Sequence, residues 1–196
     1  MEQLIVLAMS KKVYQVKISL KGISPAIWRR ILVVPDISLV DFHRIIQTTM
    51  GWSNSHLHLF KNGREEYSPK EFEVEDNKDS RVFKLNKLLK REKNRILYEY
   101  DFGDGWEHII LLEKIVEVDE KEQVPKCLKG KRNCPPEDCG GIWGYNDFLK
   151  IISNPQHEEY EETMEWCGEE FDPEYFNIQE INELLSQRNY GCIWIE

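Results

Sequence analysis

The stretch Tyr98–His108, YEYDFGDGWEH, joins two runs of alternating side chains through a turn of Asp and Gly. Upstream, Arg95 to Phe102 alternates; downstream, Glu107 to Val118 does the same. A short Gly-rich connection between two period-two runs predicts adjacent antiparallel strands over 95–102 and 107–116. Gly103 and Gly105 are expected to take positive φ, Asp104 to bond backbone amides in the turn, and Trp106 to cover the hairpin end.

The pattern continues outward from this pair. Tyr14, Val16, Ile18 and Leu20 alternate with Gln15, Lys17 and Ser19, a half-buried strand. Gly22 to Pro25 turns the chain into a second run, Ala26 to Val34, and the two predict a hairpin. Arg29 and Arg30 are neighbours in that run, so they must point to opposite faces. Ser38, with Asp41 three residues on, opens a helix whose apolar face is Leu39, Phe42, Ile45 and Ile46; Gly51 ends it. His56, His58 and Phe60 then share one face of a further strand. Residues 64–80 read as a charged surface loop with one short strand near Phe72 and Val74, and Leu85, Leu88 and Leu89 as a short helix. Pro125 to Gly144 is rich in Cys, Pro and Gly and has no period. Beyond it the chain reads as helical: Asn146–Ser153, Glu158–Cys167, a helix start at Asp172-Pro173, and a last helix opened by Asn177 and Glu180. Tyr190 to Ile195 reads as a short final strand.

Strands come first and helices gather at the end. This order predicts an α+β domain: a mostly antiparallel sheet in a roll-like arrangement, helices on one face and a helical C-terminal part. The expected organisation is a single domain over 1–196, with a sheet-rich core at 10–118 holding one main helix, a loop at 119–145 and the helical part at 146–196. The 196 residues include 41% hydrophobic and 31% charged side chains of mixed sign, enough for a core. A net charge of −9 argues against bulk affinity for nucleic acid or anionic membranes. The apolar run Leu4–Met9 is too short for a signal core or a span and reads as a strand or tucked tail. Five cysteines without a secretory signal imply a cytoplasmic protein with reduced thiols.

Four stretches together are specific: ISPAIWRRI at 23–31, GWSNSHLHLF at 51–60, YEYDFGDGWEHII at 98–110 and KCLKGKRNCPPEDCGGIWGYNDF at 126–148. In this order they resemble the Ri-plasmid open-reading-frame-three-like family, from about Tyr14 to about Asn177. The resemblance implies an α+β, roll-like domain and an association with plasmids and mobile elements, and it supplies no catalytic residues. Some members carry a label as a transposon passenger resolvase. Nothing in the residues supports that label: a recombinase needs clustered Arg around its nucleophile, and alternation splits Arg29 from Arg30.

Three constellations carry potential chemistry, each beside a plainer structural reading. Asp101, Asp104 and His108, with Glu137 and Asp138 from the Pro-rich loop and His56 and His58 from their strand, form a candidate cleft for a polar ligand or a divalent metal, since carboxylates with imidazole suit Mg²⁺, Mn²⁺ or Zn²⁺; the plainer reading gives the acids to turns and helix caps and the histidines to the core. Cys127, Cys134 and Cys139 with His157 form a candidate Cys3His zinc set of loose spacing; the plainer reading is buried thiols in a rigid loop. Arg29, Arg30, Lys129, Lys131 and Arg132 form a candidate basic patch. Three functions follow: a binding or interaction module for a ligand or protein partner, a metal-dependent hydrolase with His108 as base, and a nucleic-acid adaptor using the basic patch.

Overall fold

The computed structural model describes residues 10–168 and 171–192. The N-terminal run Leu4–Met9 and the end of the expected final strand, 193–195, lie outside the described residues. The strands are β1 (Ser10–Leu20), β2 (Trp28–Val33), β3 (His58–Asn62), β4 (Glu65–Ser68), β5 (Lys78–Asp79), β6 (Arg95–Tyr100), β7 (Trp106–Asp119) and β8 (Lys126–Lys131). They form one open sheet in the order β5-β4-β3-β6-β7-β1-β2-β8. Every neighbouring pair is antiparallel except β4 with β5. The helices are α1 (Leu39–Met50), α2 (Leu85–Leu88), α3 (Gly141–Ile152), α4 (Tyr160–Cys167) and α5 (Ile178–Leu185). The fold is α+β with a mostly antiparallel sheet, the class the strand-then-helix order predicts.

The central hairpin pairs Arg95 with Leu111 through Tyr100 with Trp106, as its alternation requires. Ile96, Tyr98 and Tyr100 of β6 and Trp106, His108, Ile110 and Leu112 of β7 are all buried. β1 lies along the other side of β7 and sends Tyr14, Val16, Ile18 and Leu20 to the same core. The buried face of α1, with Leu39, Phe42, Ile45, Ile46 and Met50, completes that core. Ser38 Oγ accepts the Asp41 N–H at 3.0 Å and caps the helix, and Gly51 ends it at φ 96.

Four local readings are corrected. Phe72 sits in a 3-10 turn, Lys70–Phe72, and the strands of that segment are instead β4 and β5. The connection 125–144 contains β8, an edge strand whose sequence KCLKGK buries only Cys127 and so shows no apolar alternation. Its edge is covered from α5: Asn182 accepts the Cys127 N–H at 2.7 Å and donates to the Cys127 carbonyl at 3.0 Å, as a neighbouring strand would. Asp172-Pro173 makes a turn in which Asp172 accepts the Glu174 N–H, and the last helix starts after Asn177, which accepts from Gln179 and Glu180. Tyr190 belongs to a 3-10 turn, Arg188–Gly191, whose Tyr190 carbonyl accepts from Thr48 of α1.

Candidate functional site

The turn after β6 is shaped by Asp101. Its backbone is left-handed, at φ 58, and its carbonyl accepts the Gly105 N–H at 2.6 Å. Its Oδ1 accepts from Gly103 at 2.9 Å and from Asp104 at 3.4 Å. Asp tolerates this backbone because its short side chain bonds locally. Gly105, at φ 67, is the second left-handed position; Gly103 is not one, contrary to the sequence reading. Asp104 does not shape the turn. Its Oδ2 accepts the Gly140 N–H at 3.2 Å and so fastens the 134–141 loop to the hairpin end. A Cβ on Gly141 would lie 2.5 Å from the Asp104 carbonyl oxygen, a measure of how closely the two segments dock.

The segment between α1 and β3 is held from three sides. Gln47 donates to the Tyr98 hydroxyl at 2.9 Å, that hydroxyl lies 2.8 Å from His43 Nδ1, His43 Nε2 lies 2.7 Å from Asn54 Oδ1, and the Asn54 N–H donates to Gln47 Oε1 at 3.1 Å. The four residues close a ring, which fixes His43 as the neutral tautomer that donates from Nε2 to Asn54 and accepts from Tyr98. Burial pulls His43 down from 6.5 to about 3, so it stays uncharged. The Tyr100 hydroxyl accepts the Ser55 N–H at 3.0 Å and donates to Glu137, which also accepts from the Ser53 hydroxyl. Asp101 N–H donates to the Leu57 carbonyl at 2.9 Å. Glu137 therefore ties the Pro-rich loop to the 53–55 segment and to β6.

His56 sits where these segments meet. Its Nε2 lies 3.3 Å from Asp138 Oδ1 and 3.8 Å from Asp101 Oδ2. Among the described residues, His56, Asp101 and Asp138 are the one group of three or more His, Cys, Asp or Glu residues whose donor atoms all lie within 4.8 Å of one another. Asp101 is buried, His56 half-buried and Asp138 exposed.

A pocket of about 490 Å³ opens beside them, between α1, the 54–58 segment and the 3-10 turn at 70–72. Val40, Leu57, Pro69 and Phe72 give it apolar walls, and His56 and His58 line it too. His58 stacks on His43 with ring centroids 3.4 Å apart and planes 7° from parallel. Burial, then the neighbouring His43, holds His58 well below the ordinary histidine value.

The other candidates are placed apart. His108 is fully buried beneath the hairpin rather than at its end, edge-on to Trp52, with Nδ1 3.3 Å from the Tyr98 carbonyl. It does not reach the carboxylates as a base. Cys127 and Cys134 are buried and Cys139 half-buried, and these three are free thiols. Burial pushes Cys127 and Cys134 up to about 11 and Cys139 to about 12. His157 Nδ1 accepts the Glu159 N–H, and it forms no ligand set with the cysteines. β2 and β8 do pair Arg30 with Lys129, but Arg29 and Arg132 are buried. Arg29 donates to the Thr49 and Lys131 carbonyls, Arg132 to Glu174 and the Pro25 carbonyl, and Arg30 is paired with Glu113. The exposed cations of the set are Lys129 and Lys131.

Sequence reasoning passed over Tyr98, His43, Gln47 and Asn54. One signal was present: His43 and Gln47 are polar residues four apart on α1, beside its apolar face, and so lie one above the other. Glu137 was picked out as a cleft residue, but nothing pointed to Tyr100 as its partner, because their bond joins residues distant in sequence.

A mostly antiparallel sheet thus carries α1, with the 53–55 segment and the Pro-rich loop meeting over one hairpin end. The pattern of the family described as plasmid pRiA4b ORF-3-like protein matches residues 12–180, and the chain belongs to that family. It is 35% identical over 180 residues to the uncharacterized protein y4hQ of Sinorhizobium fredii, a match covering 90% of this chain and 92% of that one. It is also similar to the crystal structure of the protein of unknown function MM3350 from Methanosarcina mazei Go1, with 40% identity and a TM-score of 0.78 over 86% of this chain and 97% of that one. Among the described residues no helix is long and apolar enough to cross a membrane.

Proposed function

We propose that this chain is a cytoplasmic binding module whose ligand is a small, neutral, largely apolar molecule held in the pocket between α1 and the 54–58 segment. One observation carries the reading: the stacked pair His43 and His58, kept uncharged by burial, stands beside apolar walls and is fixed from behind by the ring of Gln47, Tyr98, His43 and Asn54. A rigid apolar pocket of about 490 Å³ with a few fixed polar groups fits the size and chemistry of small-molecule sites. The ion pair of Arg81 with Glu71 also lines the pocket and is exposed to solvent. A neutral ligand meets the uncharged histidines without the desolvation cost that a buried charge carries.

Indole, flat and neutral, is a suitable probe. Titrated into ¹⁵N-labelled protein, it is expected to shift the amides of Val40, Leu57, His58 and Phe72 in a saturable way. Val40→Trp fills the pocket from α1 and should abolish those shifts. Shifts scattered over the surface, or shifts that survive Val40→Trp, would refute the reading.

A further inference from the structure

We infer that His56, Asp101 and Asp138 form a binding site for a first-row divalent transition metal ion, Zn²⁺ or Mn²⁺. The argument begins with His56 Nε2. It is shielded from solvent and has no hydrogen-bond partner among the described residues, although it lies between two carboxylate oxygens. At 3.3 and 3.8 Å the separations are longer than the roughly 2.7–3.2 Å of a good N–H···O bond. They are near what two donors keep when they share one ion: with bonds of about 2.0–2.2 Å, donor atoms sit roughly 2.8–3.1 Å apart at octahedral angles and roughly 3.3–3.6 Å at tetrahedral ones.

The donors are also held in place beforehand. Asp101 Oδ1 is occupied by the Gly103 and Asp104 amides, which leaves Oδ2 to face His56. Asp138 takes a left-handed backbone, at φ 60, between two fixed points: Glu137 on Tyr100 and Ser53, and Gly140 on Asp104. One imidazole with two carboxylates suits Zn²⁺ or Mn²⁺ better than Ca²⁺ or Mg²⁺, which favour all-oxygen shells. Three protein donors leave coordination positions for water or a ligand. The side of the ion is the side of the pocket, because His56 belongs to both.

The test uses the full chain, stripped with chelator and then freed of it. Zn²⁺ and Mn²⁺ are titrated by calorimetry, and Co²⁺ serves as a spectroscopic stand-in through its visible absorption. The expected result is one ion per chain, with Mg²⁺ weaker by at least about tenfold. Asp138 is exposed, so Asp138→Asn should fold normally, yet weaken Zn²⁺ and Mn²⁺ by about tenfold or more, the scale at which even supporting groups of metal sites act. His56→Gln should change the Co²⁺ spectrum as well. Stoichiometric binding undiminished in both variants, as buried thiols would give, overturns the inference, and so does the absence of stoichiometric binding in the wild type. Indole titrated into metal-free wild type reads the pocket alone, and the ion titrated without indole reads this site alone, so failure of the pocket reading and failure of this one are told apart.

Discussion

His108 gives the sharpest test of how this core is built. It is fully buried between Trp52 and Tyr98, and burial pulls its imidazole down from 6.5 to about 4, while hydrogen bonds involving the backbone of Tyr98 and Trp106 pull the other way. In the unfolded chain the same ring titrates near 6.5. Between these values the unfolded state binds the extra proton, so stability rises with pH there. The contribution is fully present above the unfolded value and is lost as pH falls toward about 4. Near pH 5.2, about midway, unfolding should take up about 0.9 proton on His108 alone. The slope is then about 1 kcal/mol per pH unit, and the loss across the window about 3 kcal/mol. His43, pulled to about 3, contributes over an overlapping range, so the wild type alone does not isolate the part due to His108. His108→Gln can: it keeps an amide that donates to the Tyr98 carbonyl and does not titrate. Urea unfolding at a series of pH values from 7 to 4 should show the wild type losing about 3 kcal/mol more than the variant across that range. Equal pH dependence in the two proteins would refute a neutral, buried His108.

Three other outcomes follow from the same geometry. Gly105→Ala places a Cβ at φ 67 with no clash around it, so chemical denaturation should show a loss of about 1 kcal/mol from the backbone alone. Gly144→Ala should cost more, about 1–3 kcal/mol by the same assay, because its Cβ would stand 1.8 Å from the Cys139 carbonyl oxygen and lift α3 from the loop. Cys127 and Cys134, buried and pushed up to about 11, should react with a thiol-exchange reagent only as the protein unfolds; labelling at the rate of free cysteine in native protein would contradict their placement.

The candidate site was legible only in parts. Asp101, Asp138 and His56 are each visible as residues able to ligate, but so are Asp104, His108 and the cysteines, and nothing local separates the groups. Asp104 reads as the residue that shapes its turn, yet that role falls to Asp101, because the left-handed backbone comes one residue after β6 rather than at Gly103. His108 reads as part of the hairpin end, yet its place opposite Tyr98 in the ladder points it inward with Trp106 and Ile110.

What the sequence determined by itself is whatever one period or one cap encodes. The alternation on either side of Asp101–Gly105 specifies the central hairpin. That of Tyr14–Leu20 specifies the strand beside it. Ser38 with Asp41, and Asn177, mark where helices begin. These signals suffice because each element buries its own face, and the spacing of apolar residues states which face that is. Tertiary structure alone decided the rest. β8 has almost no apolar signal and is a strand because β2 offers it an edge and Asn182 closes the other side. His56, Asp101 and Asp138 meet because Glu137 bonds across to Ser53 and Tyr100 and Asp104 receives Gly140. Such bonds join loops distant in the chain, and loops carry no period, so their partners are set only once the packed sheet has brought them within reach.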